Sequence, residues 1–188
     1  AAALRGLTPA RAAEILEAMP AAEAAKILDT LPGSAVAGLL VQMPPSASAQ
    51  ALEEMSDSVS TSALQQLPTA DAAAILQETS AEAAAKVLPD LIPTQAAQVL
   101  EAMPPRLAAD LIMRLPVRTA ADIMKEMQPE SGSKVLGNMS PEAGADTLRE
   151  LPMAQAEDLL SRLEGDIGAQ IESQMQEEGR RPGAGQQE

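Results

Sequence analysis

A chain of 188 residues without Cys, His, Phe, Trp or Tyr has no thiol nucleophile, no imidazole base, no disulfide and no zinc site of the usual Cys/His kind. Its 27 acids outweigh 13 bases to give a formal charge of −14, which repels nucleic-acid phosphates and anionic lipid surfaces. No apolar run approaches the roughly 20 residues of a membrane span, so this segment is expected neither to insert in a membrane nor to bind nucleic acid.

From the start of the chain, Ala1 to Leu7 fit the second half of a repeat that becomes explicit at Thr8. The chain therefore begins inside a helix, and trimming, processing or a larger parent is the expectation. From Thr8 the blocks TPARAAEILEAM, PAAEAAKILDTL, PGSAVAGLLVQM and PPSASAQALEEM follow one another, and the twelve-residue register runs without slip to EGDIGAQIESQM at Met175. Self-similarity at a fixed period signals a repeat architecture. Within a block the fifth, eighth, ninth and twelfth places are small or apolar, the i, i+3, i+4, i+7 spacing of one helical face. Each block therefore predicts one amphipathic helix of about nine or ten residues, near 15 Å long.

Pro, Ser or Thr opens most blocks, as at Thr8-Pro9, Pro44-Pro45 and Ser140-Pro141. Hydroxyls cap the first amides, and Pro suits the first turn while blocking continuation from the preceding helix. A long coiled coil is excluded by the recurring interior Pro. The fifth and sixth places are mostly Ala, Gly or Ser, and are read as the contact between one helix and the next. The ninth place is Leu, Ile or Met in every full block but the last, where Glu172 stands; the twelfth is Leu or Met except at Thr79. One block is too small to offset the entropy of ordering its own residues, so stability comes from stacking on neighbours.

Further along, Ser46 to Leu67 is Ser-rich with Ala51 and Ala63 at the eighth place, which predicts a thin core. Thr79 and Pro89 then interrupt the pattern, and a bend or soft joint is expected near 88–93. In the later blocks Gly132, Gly144 and Gly168 fall at the fifth place as packing residues. Residues 176–188, ending in GRRPGAGQQE, read as a disordered tail or linker. The fold class is thus all-α: an α-solenoid of about 14–15 short helices over residues 1–175, one per repeat.

Candidate sites are few. Seven of the ten methionines occupy the twelfth place. A soft-metal site or a groove for partner helices is one reading, and core filler is preferred because Leu takes the same place in other blocks. Glu53-Glu54, Glu157-Asp158, Glu177-Glu178, and Asp110 with Asp122 could line up oxygens for magnesium or calcium. Solvated helix faces explain them as well, so no cofactor is assigned, magnesium being the one considered. Between Lys26 and Lys86 there are seven acids and no base. Arg106 and Arg118, both at third places, are the candidate docking stripe for an acidic partner, set against a plain solvated face. Neither a Gly-rich phosphate loop nor a Ser triad is recognisable, and no enzymatic role is expected.

The blocks TPARAAEILEAM, PAAEAAKILDTL and IPTQAAQVLEAM resemble the repeat of the cytoplasmic N domain of MgtE-type magnesium transporters, where Pro, acids, Ala-Ala and Leu-Leu recur at this spacing. The resemblance spans Ala1 to Met175 and implies a right-handed superhelix of short helices. Similar repeats in the flagellar proteins FliG and MotE serve as interaction modules. In the transporters the domain precedes CBS modules and membrane helices, and acids between modules help sense magnesium. This array is longer and poorer in acids, so no metal-binding residue is carried over.

Two functions are weighed. The first is a non-enzymatic scaffold or adaptor, a structural subunit within a larger complex, using the seventh, tenth and eleventh places to bind other proteins. The alternative is a magnesium-responsive regulatory domain of an MgtE-like transporter. The compartment is open: the cytoplasm is favoured over an organelle or export after processing.

Overall fold

A computed structural model describes residues 7–179. Among them are fourteen α-helices and no strand: α1 (Pro9–Glu17), α2 (Ala21–Leu28), α3 (Gly33–Leu40), α4 (Pro45–Glu54), α5 (Asp57–Leu64), α6 (Thr69–Glu78), α7 (Ala81–Val87), α8 (Pro93–Glu101), α9 (Pro105–Ile112), α10 (Val117–Glu126), α11 (Pro129–Leu136), α12 (Pro141–Arg149), α13 (Met153–Ser161) and α14 (Ile167–Gly179). One helix per block is what the twelve-residue period predicts. The stretch read as the half repeat Ala1–Leu7 lies outside the described residues except for Leu7. At the other end α14 extends to Gly179, so residues 176–179 continue a helix; 180–188 lie outside the described residues.

Pro stands at the N-cap of seven of the fourteen helices. Its carbonyl accepts the first helical bond, as Pro20 does from Ala24 N at 3.0 Å and Pro68 from Ala72 N at 3.0 Å. The missing Pro amide is no loss there, and the ring prevents the previous helix from running on. Hydroxyl capping, expected generally from Ser and Thr, is made by Thr8, Ser80 and Ser140, whose Oγ atoms accept from the third following amide. At Pro89 the pattern breaks as a short 3-10 turn over Leu88–Asp90 that ends α7 early. Gly165, with φ +72°, takes the left-handed conformation at the turn into α14, where a Cβ would be strained.

The chain forms two compact units that part between Met103 and Pro104. In each, a helix packs chiefly on the next but one. The first unit has the rows α1-α3-α5-α7 and α2-α4-α6-α8; the second has α9-α11-α13 and α10-α12-α14. The fifth place does meet the consecutive helix as expected, since a Cβ on Gly144 would lie 3.2 Å from Leu136 Cδ1 in α11, but the more extensive packing is with the next but one. Consecutive helices meet less extensively, as α1 and α2 do. The small places also receive the helix two blocks on: a Cβ on Gly132 would lie 3.0 Å from Leu159 Cδ2, and one on Gly144 3.1 Å from Ile171 Cδ1. The eighth-place side chain of one helix thus seats on the fifth place of the helix two before it. Gly168 has only ordinary contacts.

The ninth and twelfth places form the spine. Leu16, Leu28, Leu40, Leu64, Leu76 and Leu88 are essentially inaccessible, as are Leu100, Ile112, Met124 and Leu136. Met43, Met55, Met103, Met127 and Met139 are buried as well, which makes these five twelfth-place methionines core residues, while Met113 and Met153, at other places, are exposed. The Ser-rich stretch is tighter than predicted. Ser48 and Ser60, at the fifth place, are buried and donate to the carbonyls of Leu40 (2.9 Å) and Leu52 (3.3 Å) in the preceding helix. Small size admits the neighbouring helix, and the hydroxyl satisfies a carbonyl at the end of the one before.

Among the described residues one buried hydroxyl is unpaired, Thr61 Oγ1 in α5. A buried group without a partner costs its desolvation, whereas Val keeps the shape. Thr61→Val is expected to raise stability by about 1 kcal/mol, measured by urea denaturation.

Candidate functional site

Three blocks that open with Ser share a contact which the repeat pattern alone does not announce. The amide of Ser56 donates to Asp29 Oδ1 at 3.0 Å and the Ser56 hydroxyl to the same oxygen at 2.9 Å. Ser80 N donates to Glu53 Oε1 at 2.5 Å, and Ser140 N to Met113 Sδ at 3.4 Å. In each pair a tenth-place side chain reaches the first place three blocks later, 27 residues on. A carboxylate suits that position, beside the positive end of the helix dipole. For Ser56 and Ser80 the signal was present in the sequence as an acid at the tenth place 27 residues before a Ser that stands where other blocks have Pro; Met113 before Ser140 gives no such signal.

The reverse polarity is met too: Gln95 Nε2 donates to the Leu64 carbonyl at 3.1 Å and Gln155 Nε2 to that of Lys125 at 2.8 Å, supplying carbonyls at helix ends. Asp29→Ala removes two hydrogen bonds at the start of α5 and is expected to lower the stability of the first unit by about 1 kcal/mol, read from its denaturation midpoint.

These contacts use part of the surface assigned to partners, since Asp29, Glu53 and Met113 stand at tenth places. The seventh and eleventh places remain largely exposed. Arg106 in α9 and Arg118 in α10 are exposed, but they lie on helices of different rows. Along each row the third place turns acidic or neutral: Arg106 is followed by Glu130 and Ala154, and Arg118 by Glu142 and Asp166. Arg118 Nε lies 3.9 Å from Glu150 Oε2. The two arginines therefore do not begin a basic stripe along a row.

The acids likewise serve separate ends. Asp110 and Asp122 are exposed, and Glu53 caps α7. Asp158 pairs with Arg162. The side chains of Glu177 and Glu178 lie outside the described residues. Among the described residues no three carboxylates group closely enough to hold a metal ion, and no helix is long and apolar enough to cross a membrane.

Each unit carries an open groove. In the second, a depression of about 490 Å³ is lined by Ser133, Lys134, Asn138, Arg162, Leu163 and Ile167, among others. Arg162 is held at its rim by Asp158 at 3.1 Å and Glu130 at 2.7 Å. The Asp158 hydrogen bond, with the charges of Asp158 and Glu130, raises the guanidinium pKa further above its already high value. In the first unit a groove of about 540 Å³ lies between α1 and α3, lined by Leu7, Ala12, Leu31, Ala35, Gly38 and Leu39, among others. Gly38 leaves it open, because a Cβ there would touch nothing within 4 Å. In the second groove the Ser133 hydroxyl donates to the Glu130 carbonyl at 3.1 Å.

The family model of the MgtE intracellular N domain matches this sequence twice, over residues 7–103 and 91–182. The first match ends where the first compact unit ends. No curated protein and no solved structure gives a match.

Proposed function

We propose that this chain, which belongs to the MgtE intracellular N domain family, is a non-catalytic regulatory domain that couples magnesium level to contacts with other protein domains. The double family match across residues 7–182 carries this reading. The residue inventory supports the absence of catalysis, because neither Cys nor His is present.

The first unit supports magnesium sensitivity through its charge. Seven acids and no base lie between Lys26 and Lys86. Asp29 and Glu53 are engaged as caps, and Glu82 pairs with Lys86 at 3.9 Å. The rest, Glu54 and Asp57 in successive blocks and Asp71 and Glu78 near opposite ends of α6, repel one another through solvent. Divalent ions gather diffusely about such a field and screen it. Binding that favours the folded state raises its melting temperature by mass action.

Melting in magnesium chloride, compared with sodium chloride at equal ionic strength, tests the reading. A higher melting temperature with measurable calorimetric heat is the expected result. Equal melting with no heat sinks the magnesium part and leaves the second reading, a protein-binding scaffold. That reading is favoured by the two open grooves.

A further inference from the structure

The methionines of the array fall into different environments. Met43, Met55, Met103, Met124, Met127 and Met139 are at most 6% exposed, so an oxidant in solution does not reach their sulfurs. Met19 and Met175 are half-buried. Met113 and Met153 are 36% and 77% exposed, and a thioether open to solvent is readily converted to its sulfoxide.

Of the two exposed side chains, Met113 holds a contact between helices. It stands at the end of α9, and its Sδ accepts from the amide of Ser140, the cap of α12, at 3.4 Å. The matching seats put a carboxylate oxygen there, Asp29 for Ser56 and Glu53 for Ser80. A thioether sulfur is a weak acceptor by comparison. The Ser140 hydroxyl oxygen accepts from Ala143 N at 3.3 Å. Its proton can be donated, as the matching Ser56 hydroxyl donates to Asp29 Oδ1 at 2.9 Å.

We propose that Met113 is an oxidation site whose sulfoxide ties α9 to α12 within the second unit. The oxidant is a hydroperoxide, which transfers one oxygen atom to Sδ. The O–O bond breaks and the S–O bond forms; sulfur gives up two electrons, and the peroxide leaves as water or an alcohol. The product carries a strongly polar oxygen on a flexible stem. Turned towards Ser140, that oxygen accepts from the amide and from the hydroxyl, beside the positive end of α12. Methionine oxidation disrupts a packed core, but here the core sulfurs are shielded and the reactive one lies where an oxygen is the better acceptor.

Treating the full chain carrying Met153→Leu with hydrogen peroxide tests this. Peptide mass mapping should show Met113 gaining one oxygen well before Met43, Met103 or Met139. Amide exchange at Ser140 should then slow about fivefold. The chain that also carries Met113→Leu, treated alike, should show no slowing, which separates Met113 from Met19 and Met175. Met113→Glu should slow exchange at Ser140 without peroxide, because it places a carboxylate where Glu53 has one.

Oxidation of Met113 no faster than that of the buried methionines overturns the proposal, as does unchanged or faster exchange at Ser140 in the oxidised chain. Equal slowing in the Met113→Leu chain assigns the effect to another sulfur and overturns it too. Unaltered exchange in Met113→Glu does the same, by showing that oxygen caps this seat no better than sulfur.

Discussion

Replacing Leu64 by Ala should lower the stability of the first unit by about 2–5 kcal/mol, the range for emptying a large aliphatic site in a packed core. Leu64 is 1% exposed at the ninth place of α5, with α3 and α7 on either side in its row. Neither neighbour can collapse into the space without giving up its own ninth-place contacts, so the upper half of the range is expected. Leu160 occupies the same place in α13 but is only half-buried, and Leu160→Ala should cost clearly less. Urea denaturation of both variants checks the pair. Equal losses would contradict stacking in which each helix is held by its row neighbours.

The second large effect concerns two glycines of α3 with opposite expected signs. A Cβ added to Gly33 would lie 2.1 Å from Ser62 Oγ and 2.9 Å from the Ser62 backbone carbonyl carbon. A hydroxyl can rotate away, but the backbone of α5 can only retreat by parting the two helices. Gly33→Ala should therefore cost about 1–3 kcal/mol. At Gly38, where the Cβ meets open space, the same substitution restores helix propensity and should add about 0.5–1 kcal/mol. Melting temperatures that shift down for the first and up for the second are the expected outcome. A shift in the same direction for both would show that α3 and α5 do not approach as described.

Much of this architecture was legible from the period alone. The fifth, eighth, ninth and twelfth places were assigned to one buried face, and the burial of Leu40, Met43, Ile75 and Leu100 follows that assignment. Gly132 and Gly144 were read as packing residues, and they receive Leu159 and Ile171. The partner of each face was not legible, because a strictly repeated pattern makes every neighbour chemically equivalent. Small residues at the fifth place show that another helix comes close without showing whether it is the next or the next but one.

The seats at helix ends were hidden for a different reason. Asp29 and Glu53 look like any solvated acid until Ser56 and Ser80 are counted 27 residues ahead. Arg106 and Arg118 share a place in the repeat, yet they fall in different rows once alternation is known. Their shared place in the repeat does not say which row each joins.

The reach of these contacts also bears on how the chain acquires its shape. The side-chain bonds described above extend no further than Arg162 to Glu130, 32 residues apart. Folding rates rise as contacting residues lie closer along the chain. A helix leaving the ribosome therefore meets its partners as soon as two or three more repeats have emerged, and the first unit can consolidate while the second is still being translated. Ribosome-bound chains stalled after Met103 should already resist protease.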